Sequence, residues 1–287
     1  MSTEGNSFKK KKKGRSFLQK AKKFGRQGQR GRGTEIEQDQ YDYLVRVLER
    51  WRQGFDSEEE KVIFVENVMV ETEGNERQLC GNQLGSRVIE MLLPSADRDI
   101  LHKFSDCLSQ DLRLVCLDPF MSHVLEKLLI LQSFAKEASE VGQVEERTRD
   151  WVVKVSKFVM NNVEDFCNDS YASHLLRTCC EVLTGQRSSQ ERSSQARTEG
   201  YDDRKVWRLE ADKETVALCD SVLEIFCSRL TSVEPDSLAS ELCVRVVSVF
   251  CQVAGSRQRH LVDRVISHLL QGVLSQGIQT DDINSVR

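Results

Sequence analysis

The sequence feature that most constrains the fold is a helical segment that recurs along the chain. In its clearest copy, Asp118–Leu131, apolar side chains fall at the spacing of one helix face, and a polar trio, Ser122, His123 and Glu126, falls on the other. Ser122 and Glu126 are four residues apart, so they are neighbours one turn from each other. The pattern predicts a helix that docks through its aliphatic stripe and presents hydrogen-bonding groups on the opposite face.

Three other segments repeat this arrangement, each with an aliphatic pair after the second member of its trio. The equivalent trios are Ser86, Arg87 and Glu90 in Leu84–Leu93, Ser173, His174 and Arg177 in Ala172–Leu183, and, in a weaker fourth copy, Ser240, Glu241 and Val244 in Ala239–Phe250. A recurrent unit of this kind is typical of a repeat array, in which each unit buries its apolar face against the next.

The spacing of the trios supports one unit length. Ser86 and Ser122 are 36 residues apart, whereas the next two intervals are 51 and 67 residues. The excess matches two strongly polar stretches, residues 136–150 and 185–205, which we predict to be loop insertions. A unit of about 36 residues lies within the range of helical solenoid repeats. Tyr41–Trp51 and Lys61–Val70 also have helical spacing and predict an atypical first repeat or cap.

These trios resemble the RNA-contacting helices of Pumilio (Puf) repeats. A basic N-terminus, divergent repeats and insertions between them further resemble the nucleolar branch of that family, whose members are ribosome-biogenesis factors. The resemblance implies an all-α chain. Residues 1–33 have no helical apolar spacing and cannot bury a core, so we predict a disordered basic tail there. Residues 34–287 would form a right-handed α-solenoid of Puf-like, armadillo- or HEAT-type repeats. Because family members have longer arrays, we expect an array truncated at its C-terminus, from a fragment or a short isoform.

The resemblance also implies a role for each member of a trio. The first and third members would hydrogen-bond one base edge and the middle member would stack on the base, one base per repeat. Ser86 with Glu90, and Ser122 with Glu126, would favour guanine, whereas Arg177 replaces a carboxylate and suits a phosphate contact. The fourth copy departs from the pattern and is expected to contact no base. The RNA-binding residues implied are Ser86, Arg87, Glu90, Ser122, His123, Glu126, Ser173, His174 and Arg177. Ordinary solvated surface is the alternative for each single trio.

Charge divides the chain into a basic tail and an acidic body. Residues 1–33 contain twelve Lys or Arg and one Glu, whereas residues 34–287 contain 29 basic and 44 acidic residues. The tail would serve as a nuclear or nucleolar address or contact nucleic acid, and an inert solubilising segment is the alternative. The acidic body counts against a purely electrostatic account of RNA binding, because phosphate neutralisation needs a cationic surface.

The residue types exclude several other classes of function. None of the ten cysteines forms a CxxC motif, and none has a histidine at zinc-ligand spacing, so reduced core cysteines are expected and no metal site. The five histidines are scattered over helices without a nucleophile, which predicts no catalytic site and no cofactor. The sequence contains no run of eighteen apolar residues, so it predicts no membrane span.

The sequence therefore predicts a non-enzymatic RNA-binding protein of the nucleus and nucleolus. The resemblance implies binding of single-stranded or partly structured precursor ribosomal RNA, contact with preribosomal particle proteins, and a part in small-subunit (40S precursor) rRNA processing and ribosome biogenesis. A helical-repeat scaffold for a protein partner is the first alternative, favoured by the acidic body. A messenger-RNA-binding translational regulator is the second.

Overall fold

A computed structural model describes residues 16–133, 135–136, 146–186, 208–209, 213–238, 240–255 and 258–279. Almost all of this part of the chain is α-helical. The helices are α1 (Phe17–Arg26), α2 (Gln38–Gln53), α3 (Glu58–Glu71), α4 (Glu76–Cys80), α5 (Gln83–Leu92), α6 (Arg98–Leu108), α7 (Leu112–Leu117), α8 (Met121–Leu131), α9 (Glu146–Asn161), α10 (Val163–Phe166), α11 (Ala172–Thr184), α12 (Lys213–Leu230), α13 (Glu241–Ala254) and α14 (Arg259–Gln279). The predicted all-α repeat architecture is confirmed.

Each repeat is a long helix, a short helix and a third helix that carries the trio. Three successive repeats are α3–α4–α5, α6–α7–α8 and α9–α10–α11. In the fourth, a 3₁₀ turn at Pro235–Leu238 replaces the short helix between α12 and α13. We call α5, α8 and α11 the trio helices.

An Asn or Asp side chain starts each trio helix, four residues before the serine of its trio. Asn82, Asp118 and Asp169 each accept two hydrogen bonds of 2.8–3.2 Å from the backbone N–H groups two and three residues further on. Such bonds satisfy N–H groups that a helix leaves unpaired at its first turn. The recurring side chain therefore fixes where each trio helix begins and which way its trio faces.

The trio helices stack side by side in one row. Helix α2 packs against α5, α5 against α8, α8 against α11, and α11 against α13. The aliphatic stripe of α8, which includes Val124, Leu125 and Leu128, is fully buried. Burying one such side chain contributes about 1.5–3 kcal/mol, so the stripes are what hold the row together.

Close backbone packing occurs where α5 follows α4. A break at Gly81 and Asn82 divides the segment into two helices. At Gly85 an added Cβ atom would lie 2.3 Å from the backbone oxygen of Leu79. Only glycine allows α5 to approach the end of α4 this closely.

The prediction that residues 1–33 are disordered is wrong for residues 16–33. Residues 1–15 lie outside the described part of the chain. Helix α1 occupies Phe17–Arg26 and packs on α2, with Ala21 buried and Phe17, Leu18 and Phe24 partly buried against the core. Ser16 caps the helix by accepting from the Gln19 backbone N–H. The apolar residues recur at helical spacing, which the high density of Lys and Arg obscures.

One end of each predicted insertion belongs to a described structural element, so each insertion is shorter than the stretch predicted from sequence. Helix α9 begins at Glu146, so residues 146–150 belong to a long repeat helix, and Gly185 ends α11 in a left-handed conformation. Residues 137–145 and 187–205 lie outside the described residues. Strands β1 (Ala135–Lys136) and β2 (Arg208–Leu209) pair antiparallel, which joins the start of the first stretch to the end of the second.

Candidate nucleic-acid interface

The middle members of the trios form an accessible line across the trio helices. The side chains of Arg87 and His123 are 62% and 45% exposed, and His174 is partly exposed. His123 lies within electrostatic reach of Arg87 on one side, and His174 lies within reach of His123 on the other. These three side chains present flat, polar groups along one shared surface, which we call the trio face.

The serines do not project from this surface as the sequence predicts. Ser86, Ser122 and Ser173 are at most 3% exposed. Ser122 precedes the buried Leu125 by three residues, so the two lie about 60° apart around the helix. Because α8 packs against α5 on one side and α11 on the other, the exposed sector of the helix is narrow and the serine falls at its margin.

The third members are partly covered and bind the middle members of their own trios. Glu90 and Glu126 have side chains 17% and 12% exposed. Glu90 Oε2 lies 3.4 Å from Arg87 Nη1, and Glu126 Oε2 lies 3.8 Å from His123 Nδ1. Each pair therefore holds a flat cationic or aromatic group beside a carboxylate.

The third trio makes a different internal contact. His174 Nδ1 lies 2.6 Å from Arg177 Nη2, so the guanidinium donates to an unprotonated ring nitrogen. Burial lowers the pKa of His174, and the neighbouring Arg177 lowers it further. The ring is therefore neutral near pH 7, and the positive charge of this trio resides on Arg177.

A hydrogen bond links the second and third trio helices at the trio face. Thr178 Oγ1 donates to Glu126 Oε1 at 2.9 Å, from α11 to α8. Burial opposes ionisation of Glu126, yet the nearby His123 ring and the hydrogen bond from Thr178 keep the pKa of this carboxyl below its usual value. In return the contact with Glu126 raises the pKa of His123. Glu126 is thus an ionised carboxylate near neutral pH, set between two repeats.

Within the described residues, three polar atoms at the trio face are buried and have no hydrogen-bond partner. They are Ser122 Oγ, Ser173 Oγ and Glu90 Oε1. Burial raises the pKa of the Glu90 carboxyl, and nearby Glu126 raises it further. A buried hydroxyl without a partner costs about 1–3 kcal/mol, so its retention calls for an explanation.

Two further segments share the residue pattern of the trios and were missed by the sequence analysis, and the first of them also shares the exposure pattern. Val45–Glu49 on α2 reads VRVLE, beside SRVIE and SHVLE in the first two trios, and it also exposes only its second residue, Arg46. On α13 the matching string is Val244–Ser248, VRVVS, with Arg245 at the middle position, but its first residue, Val244, is 54% exposed. Comparing five-residue strings, rather than searching for serine, would have found both.

The fourth trio is therefore one helical turn from its predicted place. Ser240 is the N-cap of α13 and its Oγ accepts from the Cys243 backbone N–H at 3.2 Å, so it does not occupy a trio position. Arg245 lies within electrostatic reach of His174, as the next member of the line would. The line of middle positions is thus Arg46, Arg87, His123, His174 and Arg245.

The trio face has more positive than negative side chains. Four cationic residues and three carboxylates surround the line from α5 to α13: Arg87, Lys127, Arg177 and Arg245, with Glu90, Glu126 and Glu241, the last of which pairs with Arg245. The body of the protein is acidic, so positive charge is concentrated at this surface.

The described part of the chain lacks the features of a metal site or a membrane-spanning helix, and its Cys179 thiol is not activated. No group of three or more His, Cys, Asp or Glu among the described residues could hold a metal ion. No helix there is long and apolar enough to cross a membrane. Burial raises the pKa of the Cys179 thiol to about 12, as expected of an unreactive core cysteine.

Residues 74–213 match the family described as NOP9-like PUF repeat domain. Among curated proteins, the chain is 26% identical to Nucleolar protein 9 of Homo sapiens over 246 residues, which is 81% of this chain and 38% of that protein. It is 29% identical over 175 residues to Nucleolar protein 9 of Podospora anserina, which is 55% of this chain and 21% of that protein. The chain therefore spans about a fifth to two fifths of the length of these relatives.

A solved structure supports the fold independently. The structure titled "APUM23-deletion-of-insert-region-GGAAUUGACGG" superposes with a TM-score of 0.56 at 18% identity, covering 82% of this chain and 40% of that one. The name of the curated relatives indicates a nucleolar, and hence nuclear, location, in agreement with the location that the sequence predicts. Residues 74–213 therefore match the NOP9-like branch of the Puf repeat family, the family that the three trios resemble.

Proposed function

We propose that this chain is a non-enzymatic RNA-binding protein of the nucleolus that holds precursor ribosomal RNA along the trio face. The observation that carries the proposal is the set of buried, unpartnered polar atoms beside a line of exposed flat side chains. A base stacked on Arg87 or His123 would bring its edge to these atoms and supply their missing partners. Support also comes from the relatives' name and from neighbouring structures whose titles include an RNA strand.

The chemistry at the second trio fits guanine. A carboxylate has about four acceptor positions. Glu126 uses one of them, on Oε1, to accept from Thr178, and its Oε2 lies 3.8 Å from His123 Nδ1. The remaining positions can accept the two N–H donors of a guanine edge, while Ser122 Oγ lies one turn away. The first trio has the same residue types, with Arg87 as the stacking group. We propose the same preference there.

We further propose that binding covers a segment of the small-subunit precursor, in company with preribosomal particle proteins, and so controls when nucleases reach that segment. The nine implied residues then act unequally. Arg87, His123 and His174 stack, Glu90 and Glu126 select the base, and the serines complete the edge contacts. Arg177, which bonds His174, holds that ring and contacts phosphate.

A binding comparison tests the base preference. Fluorescence anisotropy would measure the affinity of the chain for the strand GGAAUUGACGG and for the same strand with adenine in place of every guanine. The double variant Ser122→Ala with Glu126→Ala should lose about tenfold or more for the guanine strand, because a bidentate base contact contributes about 1–3 kcal/mol. Its affinity for the adenine strand should change much less.

A matched control variant removes a glutamate and a serine from a surface away from the trio face. Glu224 and Ser228 lie four residues apart on the exposed side of α12, away from the trio face, so Glu224→Ala with Ser228→Ala should leave both affinities unchanged. Equal losses for the two strands would exclude base selection at the second trio. Failure of the unaltered chain to bind either strand would favour the protein-scaffold alternative, for which the acidic body is the argument.

The tail beyond the described helix has a separate role in the proposal. The run Lys9–Lys13 would act as the nucleolar address. Replacing these five lysines by glutamine should disperse a fluorescently tagged chain from the nucleolus while α1 stays intact. Unchanged nucleolar fluorescence would dismiss this role.

A further inference from the structure

Helix α1 is fixed to the first helix of the row by specific contacts. Tyr41 on α2 donates its hydroxyl hydrogen to the backbone oxygen of Ala21 at 3.2 Å. Arg52 Nη1 reaches the cap residue Ser16 at 3.4 Å. The two helices therefore lie along each other, with the start of α1 near the end of α2.

A non-helical segment, Arg30–Thr34, anchors the chain that follows α1. Asn82 Nδ2 donates to the backbone oxygens of Arg30 and Thr34, each at 2.9 Å, and the Thr34 N–H donates to Gly81 O at 2.8 Å. At Gly33 φ is +88° and an added Cβ would lie 2.1 Å from Gly81 O, so only glycine fits. The segment is thus held at the start of α5, the first trio helix.

An ion pair places α1 beside the newly recognised trio position on α2. Lys22 Nζ pairs with Glu49, which occupies the third position of the string Val45–Glu49. Arg46, the middle position, precedes Glu49 by three residues and is its neighbour on the helix surface. One flank of α1 therefore lies next to the N-terminal end of the trio face.

The solvent side of α1 carries two more cations. At 100° per residue, Arg26 lies about 40° from Lys22 on the same flank, and Lys23 lies about 100° from Lys22, nearly opposite the buried Ala21. Lys20 lies about 60° beyond Lys23, on the other flank. Lys23 and Arg26 are exposed, and within the described residues neither forms an ion pair. Unpaired cations held on an ordered helix, on an otherwise acidic protein, favour a polyanionic partner.

We propose that α1 is a phosphate-binding extension of the trio face, in which Lys23 and Arg26 contact the phosphodiester backbone of the RNA strand just beyond the base at Arg46. The inference rests on the proposed function and adds a contact outside the repeats. It is a backbone contact and reads no sequence. Its position requires that the strand extend past the row at the end where α1 lies.

Strand length and salt dependence test this contact in the full chain. The probes are the strand GGAAUUGACGG and two versions lengthened by four uridines, one at the 5′ end and one at the 3′ end. One lengthened strand should bind more tightly than the parent strand, and in Lys23→Gln with Arg26→Gln this gain should disappear. The salt slope of log affinity for that strand should fall by about 1.4, since each phosphate contact with a single strand contributes about 0.7.

The matched control removes two exposed cations from another helix. Lys154→Gln with Lys157→Gln on α9 alters the net charge equally, away from both α1 and the trio face, and should keep the gain and the slope. Glutamine is nearly as good a helix former as lysine or arginine, so both variants should fold, which circular dichroism would verify. Arg26→Glu provides a second variant, with an expected loss at least as large.

The outcomes separate this inference from the function on which it rests. If the unaltered chain binds no RNA, the proposed function fails and the inference fails with it. If the chain binds RNA but Lys23→Gln with Arg26→Gln keeps the length gain and the control's salt slope, only the extension is overturned. That result would favour an acidic protein segment, rather than RNA, as the partner of the cationic side of α1.

Discussion

Ser122→Ala should make the free protein more stable and its RNA complex weaker. Ser122 Oγ is buried on α8 without a hydrogen-bond partner, which costs about 1–3 kcal/mol in the unliganded protein. Alanine removes the hydroxyl and leaves a space of only one atom, so we expect a net gain of about 1 kcal/mol. For a folded region of this size, that gain corresponds to a rise in Tm of about 2–4 °C.

RNA binding should change in the opposite direction. If a guanine edge supplies the missing partner, Ser122→Ala loses one hydrogen bond, about 0.5–1.5 kcal/mol, or roughly two- to tenfold in Kd. Thermal unfolding followed by circular dichroism gives the stability, and fluorescence anisotropy with GGAAUUGACGG gives the affinity. Ser173→Ala, whose Oγ is also unpartnered, should behave in the same way.

Ser105 provides a control with the opposite sign of stability change. It is as buried as Ser122, but its Oγ donates to Leu101 O at 2.8 Å and accepts from Gln132 Nε2 at 2.6 Å. Ser105→Ala should therefore lower Tm, because the buried amide of Gln132 loses its partner, and RNA affinity should not change. The reasoning is refuted if Ser122→Ala lowers Tm as Ser105→Ala does while leaving the affinity unchanged.

Three further predictions concern packing, pH and thiol chemistry. Gly85→Ala should destabilise the protein by more than about 1 kcal/mol, seen as a lower Tm, because its Cβ would press on the Leu79 backbone oxygen; an unchanged Tm would contradict the close packing of α4 and α5. Proton NMR should find the pKa of His123 above 6.5, and Glu126→Gln should bring it back down. Because folding raises this pKa, the stability from the contact is present at low pH and is lost as pH rises through the folded-state pKa. The Cys179 thiol, with its pKa raised to about 12, should react with iodoacetamide at pH 8 only after unfolding, and rapid labelling of the folded protein would contradict its burial.

Much of the repeat organisation can be predicted from sequence because it follows from local patterns. The 36-residue interval between Ser86 and Ser122 and the aliphatic stripe behind each trio record which helix face is buried. Recurring Asn and Asp side chains before the trios mark where the helices begin. These features depend on neighbours within one or two turns, and the structure agrees with them.

The prediction was less successful where a residue's role depends on the adjacent repeat. A helical wheel places Ser122 on the polar face, but packing of α8 between α5 and α11 covers it. The search for serine also shifted the fourth trio by one turn, because Ser240 is polar for a different reason, namely to cap α13. Charge density concealed the apolar spacing of α1 in the same way.

The sequence alone determined the helical class, the repeat length and three of the five middle positions, Arg87, His123 and His174, because periodicity within one helix dictates which face is buried. Only the tertiary structure decided which polar atoms remain without partners, that Glu126 bonds a threonine of the next repeat, and that α1 lies beside Arg46. The physical reason is distance along the chain. These contacts join residues 27 or more positions apart, and their energy depends on how whole helices stack.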